Sequence, residues 1–203
     1  MPTVYPIRDP EKLAALQSLP EVVGNPVYRL LATFNFVAAL RVSDLLNLKV
    51  KDVRTGDGRL RGQVEVVESK TRKTKRIPMF DRQRRPMKTH QALEEYFAAV
   101  DADQEDWLFP SIQAGKHISR QQVWRLLKRW AEAVGIDENI GTHSYRKTMG
   151  NQAHLLHGVP LTRVQRALNH SDPKVTQVYT CVTDEDAMEA FEAVGAIRVK
   201  EEG

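Results

Sequence analysis

The sequence predicts an α+β protein that is mainly α: a helical bundle carrying one small antiparallel β-sheet. Three observations predict it. Apolar residues recur at helical spacing, and most runs open on a capping residue. Only 62–68 and 77–79 show the β-branched, two-residue alternation of strands. Finally, 203 residues with 41% hydrophobic content can bury a real core, without repeats or low-complexity linkers.

In chain order, Met1–Ile7 reads as an extended lead-in. Asp9-Pro10-Glu11 opens a short helix with Leu13, Leu16 and Leu19, and Gly24 breaks it. Asn25-Pro26 repeats the start signal. Tyr28 to Leu40 is then almost continuously apolar, as in a helix buried at the centre of a domain. Ser43 is placed to cap a further short helix, with Leu45, Leu46 and Leu48 inward. Arg41 stands at the junction of these two buried elements. A buried arginine needs a carboxylate or a phosphate. Asp44 can supply the carboxylate, and can also brace Arg41 while it holds a ligand.

A turn at Thr55–Gly58 leads to the strand Gly62–Glu68. Lys70–Arg76 carries five basic residues in seven, and Ile77-Pro78-Met79 resumes the extended run. This is a hairpin with a cationic tip: Arg72, Lys73, Lys75 and Arg76 suit either solvent or a phosphate backbone. Arg82, Arg84, Arg85 and Lys88 continue the bias. Thr89–Val100 is an amphipathic helix with Leu93, Tyr96 and Phe97 inward, followed by an acidic loop and the anchor Trp107-Leu108-Phe109.

Ser119 caps a helix running to about Val134, with Val123, Leu126, Leu127 and Trp130 as its apolar stripe. Arg120, Gln121, Gln122 and Arg125 lie on its polar face. Arg and Gln read guanine and adenine edges in a major groove, and they also serve as an ordinary solvated face. Thr142 is placed to cap the helix containing His143 and Arg146, which ends at Gly158-Val159-Pro160. Short helices follow at Leu161–Leu168 and Pro173–Tyr179, then an acidic one at Asp184–Val194 and a charged tail.

Composition excludes several classes. Cys181 is the only cysteine, so no internal disulfide can form, as suits a reducing cytoplasm. No apolar run is long enough for a membrane span, and the start lacks a signal pattern. No Walker-type loop or His/Cys/carboxylate ligand cluster appears, so neither metal nor cofactor is expected. The net charge of +4 is mild, which makes its distribution more informative than its sum. Within 142–179, two imidazoles, a guanidinium and a phenol (His143, Arg146, His170, Tyr179) gather, a set suited to chemistry on an anionic group.

Five segments in order resemble the boxes of tyrosine recombinases, the phage-integrase family. Ala39-Leu40-Arg41-Val42-Ser43-Asp44-Leu45-Leu46-Asn47-Leu48 resembles the first box, and Ser69-Lys70-Thr71 the lysine between two strands. His143-Ser144-Tyr145-Arg146 resembles the His-x-x-Arg box. Leu168-Asn169-His170 resembles Leu-Gly-His, and Thr176-Gln177-Val178-Tyr179-Thr180 the nucleophile box. Asn169 replaces the usual glycine, and asparagine is the next-best residue where a positive φ is required.

The resemblance implies cleavage and rejoining of double-stranded DNA through a 3′-phosphotyrosyl bond, as in integration, excision or inversion. It implies a homo-tetramer on DNA, monomer or dimer when free, acting in the cytoplasm and, in a bacterium, at the nucleoid. The expected organisation is one catalytic domain, 1–203, with lead-in 1–8 and C-terminal helix and tail 184–203, without the family's N-terminal core-binding domain. Such a chain is either a natural single-domain member or an excised catalytic domain. Arg41 and Arg146 would clamp the phosphate, Tyr179 attack it, His143 act as base, His170 hydrogen-bond the phosphate and Lys70 protonate the leaving oxygen. A type IB topoisomerase-like nicking-resealing enzyme and a DNA-binding regulator retaining the fold are the alternatives.

Overall fold

Side chains that accept from otherwise free amides fix the first helices. Asp9 accepts from the amides of Glu11 and Lys12 at the start of α1 (Pro10–Gln17). After the single turn of α2 (Pro20–Val23), Asn25 does the same for Val27 and Tyr28 at the start of α3 (Pro26–Ala38). Each such cap is worth about 1 kcal/mol. The computed structural model describes residues 3–180 and Met188 of the 203-residue chain. α3 is the central helix expected, with Leu30, Leu31, Phe34 and Ala38 all buried.

Two short helices follow, α4 (Val42–Leu46) and α5 (Val50–Val53). Ser43 does not cap α4, because the helix begins two residues earlier than a Ser43 cap would give and Arg41 occupies the N-cap position. β1 (Gln63–Val67) and β2 (Thr74–Pro78) pair antiparallel, with Val64 opposite Ile77 and Val66 opposite Lys75. Alternation turns these four side chains inward and their neighbours to solvent. α6 (Lys88–Ala99) packs along α3. α7 (Arg120–Ala133) begins with a capping box in which Ser119 and Gln122 satisfy each other's backbone amides.

α8 (Ser144–Asn151) starts one residue later than a Thr142 cap would give. The chain turns at Gly141, whose amide bonds the Ser144 hydroxyl, and His143 takes the N-cap position. A π-helical turn, Gln152–Leu156, extends it before Gly158 (φ +60) ends it. α9 (Leu161–Ala167) and α10 (Pro173–Thr180) complete the described chain. The acidic helix expected at 184–194 lies outside the described residues except for Met188, which is helical and exposed.

The main core joins α1 to α8 through residues such as Leu16, Phe34, Leu45, Leu93, Leu127, Trp130 and Tyr145. A smaller cluster of Ala39, Val164 and Leu168 holds α9 and α10 against α8, with Tyr179 at its margin. The close approach needs Gly150, where a Cβ would sit 3.3 Å from Leu168 and 3.9 Å from the Tyr179 carbonyl. The lead-in is stitched to α8: the Ile7 amide donates to the Thr148 hydroxyl, and Lys147 Nζ to the Val4 carbonyl. Among the described residues, no helix is long and apolar enough to cross a membrane.

Candidate active site

Ala39 at the end of α3 takes a left-handed conformation (φ 45°), and this bend joins α3 to α4. Its carbonyl accepts from Arg146 Nη1 and, at 3.0 Å, from Lys75 Nζ. Arg146 comes from the first turn of α8 and is fully buried. Its Nη2 donates to the Leu168 carbonyl, which ties α8 to the turn before His170.

Between the two arginines lies Glu68, just past the end of β1 and fully buried. Its Oε1 is 2.8 Å from Arg41 Nη1 and 3.4 Å from Arg146 Nη1. Asp44, the partner the sequence offered for Arg41, is 3.9 Å away. It is occupied elsewhere, accepting from the Ser69 amide and hydroxyl at 2.9 and 2.6 Å. Burial alone would push the Glu68 carboxyl up. Hydrogen bonds from Thr71 and Arg41 and the charges of both arginines outweigh it, holding Glu68 below the usual glutamate range.

Asn169 has φ 59°, the left-handed conformation that its substitution for glycine anticipates. Its side-chain amide donates to Glu68 Oε2 at 3.3 Å. The next residue, His170, is held by a 3.0 Å contact between Nδ1 and the Thr176 hydroxyl. Its ring meets Tyr179 edge-on, with centroids 4.6 Å apart. Arg146 Cζ and Lys147 Nζ each lie 5.9 Å from the Tyr179 ring centre. Asn151 on α8 donates to the Thr180 carbonyl and so fixes the last turn of α10.

Electrostatics set the protonation states. His170 is lowered to about 4, first by burial and then by Arg146 and Arg41. Burial, then the charges of Arg120, Arg146, Arg41 and Lys147, also lowers His143. Both imidazoles are therefore neutral at pH 7 and able to accept a proton. Three of the buried nitrogens without a hydrogen bond among the described residues belong to this cluster: Arg41 Nη1 (ion-paired to Glu68 and, at longer range, Asp44), His143 Nδ1 and Arg146 Nε. The two unspent guanidinium nitrogens suit a tetrahedral anion, and the His143 nitrogen can donate or accept according to its tautomer.

Four of the six sequence-predicted catalytic residues are joined by these contacts, Arg41, Arg146, His170 and Tyr179, and the charges of Arg41 and Arg146 reach a fifth, His143. Lys70 is exposed at the hairpin turn, yet both neighbours are bound in, Ser69 to Asp44 and Thr71 to Glu68. Lys75 corrects the reading of the cationic tip. Strand parity turns it inward beside Ile77, so it is not available to a DNA backbone. Burial, then Arg146, lowers its amine to about 7. Arg72, Lys73 and Arg76 are exposed, with Lys73 bonded to the Ser171 hydroxyl and Arg76 to Glu65. Arg120, Gln121, Gln122 and Arg125 are all exposed on α7, although the Gln122 carbonyl is engaged by the Ser119 amide. Sequence reasoning missed Glu68 and the placement of Lys75. The period-two pattern could have found both, since 64, 66 and 68 share one strand face and 75 and 77 another.

Residues 12–186 match the profile of the phage integrase family. The probable integrase/recombinase YoeC of Bacillus subtilis is 34% identical over 199 residues, spanning 97% of this chain and all of that protein. Tyrosine recombinase XerD of Pseudomonas putida is 32% identical over 175 residues, which are 86% of this chain and 55% of XerD. The chain therefore spans all of one relative and about half the length of the other. The crystal structure of XerA recombinase aligns with a TM-score of 0.73 at 21% identity, over 96% of this chain and 67% of that one. XerH bound to palindromic difH, a post-cleavage complex, gives 0.71 at 19% identity over 96% and 53%. These structures share the fold, and the profile and sequence identities carry the descent: the chain belongs to the phage integrase family of tyrosine recombinases.

Proposed function

We propose that this protein is a site-specific recombinase that cuts and rejoins duplex DNA through a covalent 3′-phosphotyrosyl intermediate. One observation carries the reading: the Tyr179 phenol stands beside His170 and Arg146, within a cluster whose arginine and histidine nitrogens keep hydrogen-bonding capacity unspent.

A phosphodiester under attack gains negative charge on its non-bridging oxygens, and Arg41 and Arg146 answer that charge. The Tyr179 oxygen bonds to phosphorus as the bond to the 5′-oxygen breaks. The phenol proton passes to neutral His143, and the leaving oxygen takes a proton from Lys70 on the hairpin. His170 donates to the phosphate. A second strand's 5′-hydroxyl reverses the sequence, so the phosphodiester energy is kept and neither a nucleotide nor a metal is consumed. Arg72, Lys73 and Arg76 contact the DNA backbone, and α7 reads the site through Arg120, Gln121 and Arg125. Residues 1–203 act as one catalytic domain. Exchange of four strands calls for four copies on DNA, in the compartment that holds the chromosome.

The test is covalent capture. Sheared genomic DNA of the source organism is incubated with the protein, denatured, and sequenced from the protein-bound fraction. The reading expects one recovered site, alkali-stable linkage to Tyr179, and joined recombinant products. Relaxation of supercoils without a preferred site or joined products would contradict it.

A further inference from the structure

Glu68 has no part in the chemistry proposed above, yet it touches most of the segments that carry it. Oε1 meets Arg41 at 2.8 Å and Arg146 at 3.4 Å. Oε2 accepts from Thr71 at 2.8 Å, next to Lys70, and from Asn169 at 3.3 Å, next to His170. The side chain is fully buried. Two guanidiniums this close repel, and a shared carboxylate oxygen between them sets both their separation and their orientation. Asp44, the acidic residue within the arginine box, instead holds the hairpin backbone at Ser69.

We infer that Glu68 is a positioning residue for strand cleavage: its carboxylate fixes the spacing of the Arg41 and Arg146 guanidiniums and locks the Lys70 hairpin and the His170 turn to them. The inference rests on the recombinase reading for its consequence, while its geometric core stands on the free protein. Gln at this position keeps the shape and an acceptor for Thr71 and Asn169, but removes the charge and turns toward the arginines an amide nitrogen that can only donate. Asp keeps the charge on a shorter arm.

The experiment has two arms, with melting temperature as the folding control. On a nicked duplex carrying the captured site, Glu68→Gln should bind within about threefold of wild type but cleave about 100-fold more slowly, and Glu68→Asp should recover part of the loss. Cleavage by Glu68→Gln within about threefold of wild type, or equal loss of binding and cleavage, overturns the inference. In the second arm, nitrogen-15 NMR of the DNA-free protein follows the arginine side chains. Slowed guanidinium rotation at Arg41 should be lost in Glu68→Gln and kept in Glu68→Asp; unchanged Arg41 signals in folded Glu68→Gln overturn the inference. If Glu68→Gln does not fold, Glu68→Asp is read in both arms, expected slower in cleavage with Arg41 still ordered; wild-type cleavage by it overturns the inference. Absence of any adduct from wild type would sink the recombinase reading alone, and the NMR arm still decides whether Glu68 sets the guanidiniums.

Discussion

The His170 and Tyr179 rings meet edge to face with centroids 4.6 Å apart, and Thr176, one helical turn before Tyr179, holds the imidazole. The histidine turn and the tyrosine helix are thereby one unit. Thr176→Val keeps the volume but removes the hydroxyl. The expected outcome is a slower cleavage step, by roughly tenfold, with DNA affinity unchanged. Single-turnover cleavage set beside filter binding checks it.

Arg41 and Arg146 should differ in stability cost though not in chemistry. Arg41→Ala removes a mostly buried guanidinium and leaves the buried Glu68 with Arg146 alone, so it should cost some stability, though less than Arg146→Ala. Arg146→Ala strips donors from the buried Ala39 and Leu168 carbonyls and a partner from Glu68. About 3–5 kcal/mol of stability is expected to go with it. Each should slow cleavage by about 10²–10³-fold or more. Urea titrations of the two variants, alongside cleavage rates, make the comparison.

Acid should destabilise the fold through the histidines. His170 is near 4 when folded, against an ordinary value of 6.5, so below pH 6.5 the unfolded chain binds the extra proton first. Stability therefore falls as pH drops from 6.5 towards 4, by at most roughly 3 kcal/mol before solvent screening reduces it. His143 acts in the same direction. His170→Asn should flatten the part of the melting-temperature profile between pH 6.5 and 4 that His170 supplies. A profile as steep as wild type would show the histidine to be uninvolved.

Lys75 gives the corresponding alkaline effect. Its amine, near 7 when folded and 10.5 in the free chain, makes stability rise with pH across that window. Lys75→Met should abolish the rise. The measurement is urea denaturation at pH 7, 8.5 and 10.

Much of this was legible in the sequence because local chemistry decided it. Asp9, Asn25 and Ser119 cap helices through their own side chains, and Asn169 marks a left-handed turn by type alone. The misreadings have a common cause. Ser43 and Thr142 have capping chemistry, but tertiary turns at Ala39 and Gly141 chose other start points for α4 and α8. In sequence Lys75 groups with its basic neighbours, although strand parity rather than charge density places a side chain. For Arg41 the sequence offers the nearest acid, Asp44, whereas the fold brings Glu68 from twenty-seven residues away.

The most direct measurement is covalent trapping on a nicked duplex bearing the captured site, comparing wild type with Tyr179→Phe. The account predicts a 3′-linked adduct mapping by mass spectrometry to Tyr179 in wild type, none in the variant, and DNA binding within about twofold in both. An adduct that persists in Tyr179→Phe, or that maps to another residue, would contradict it.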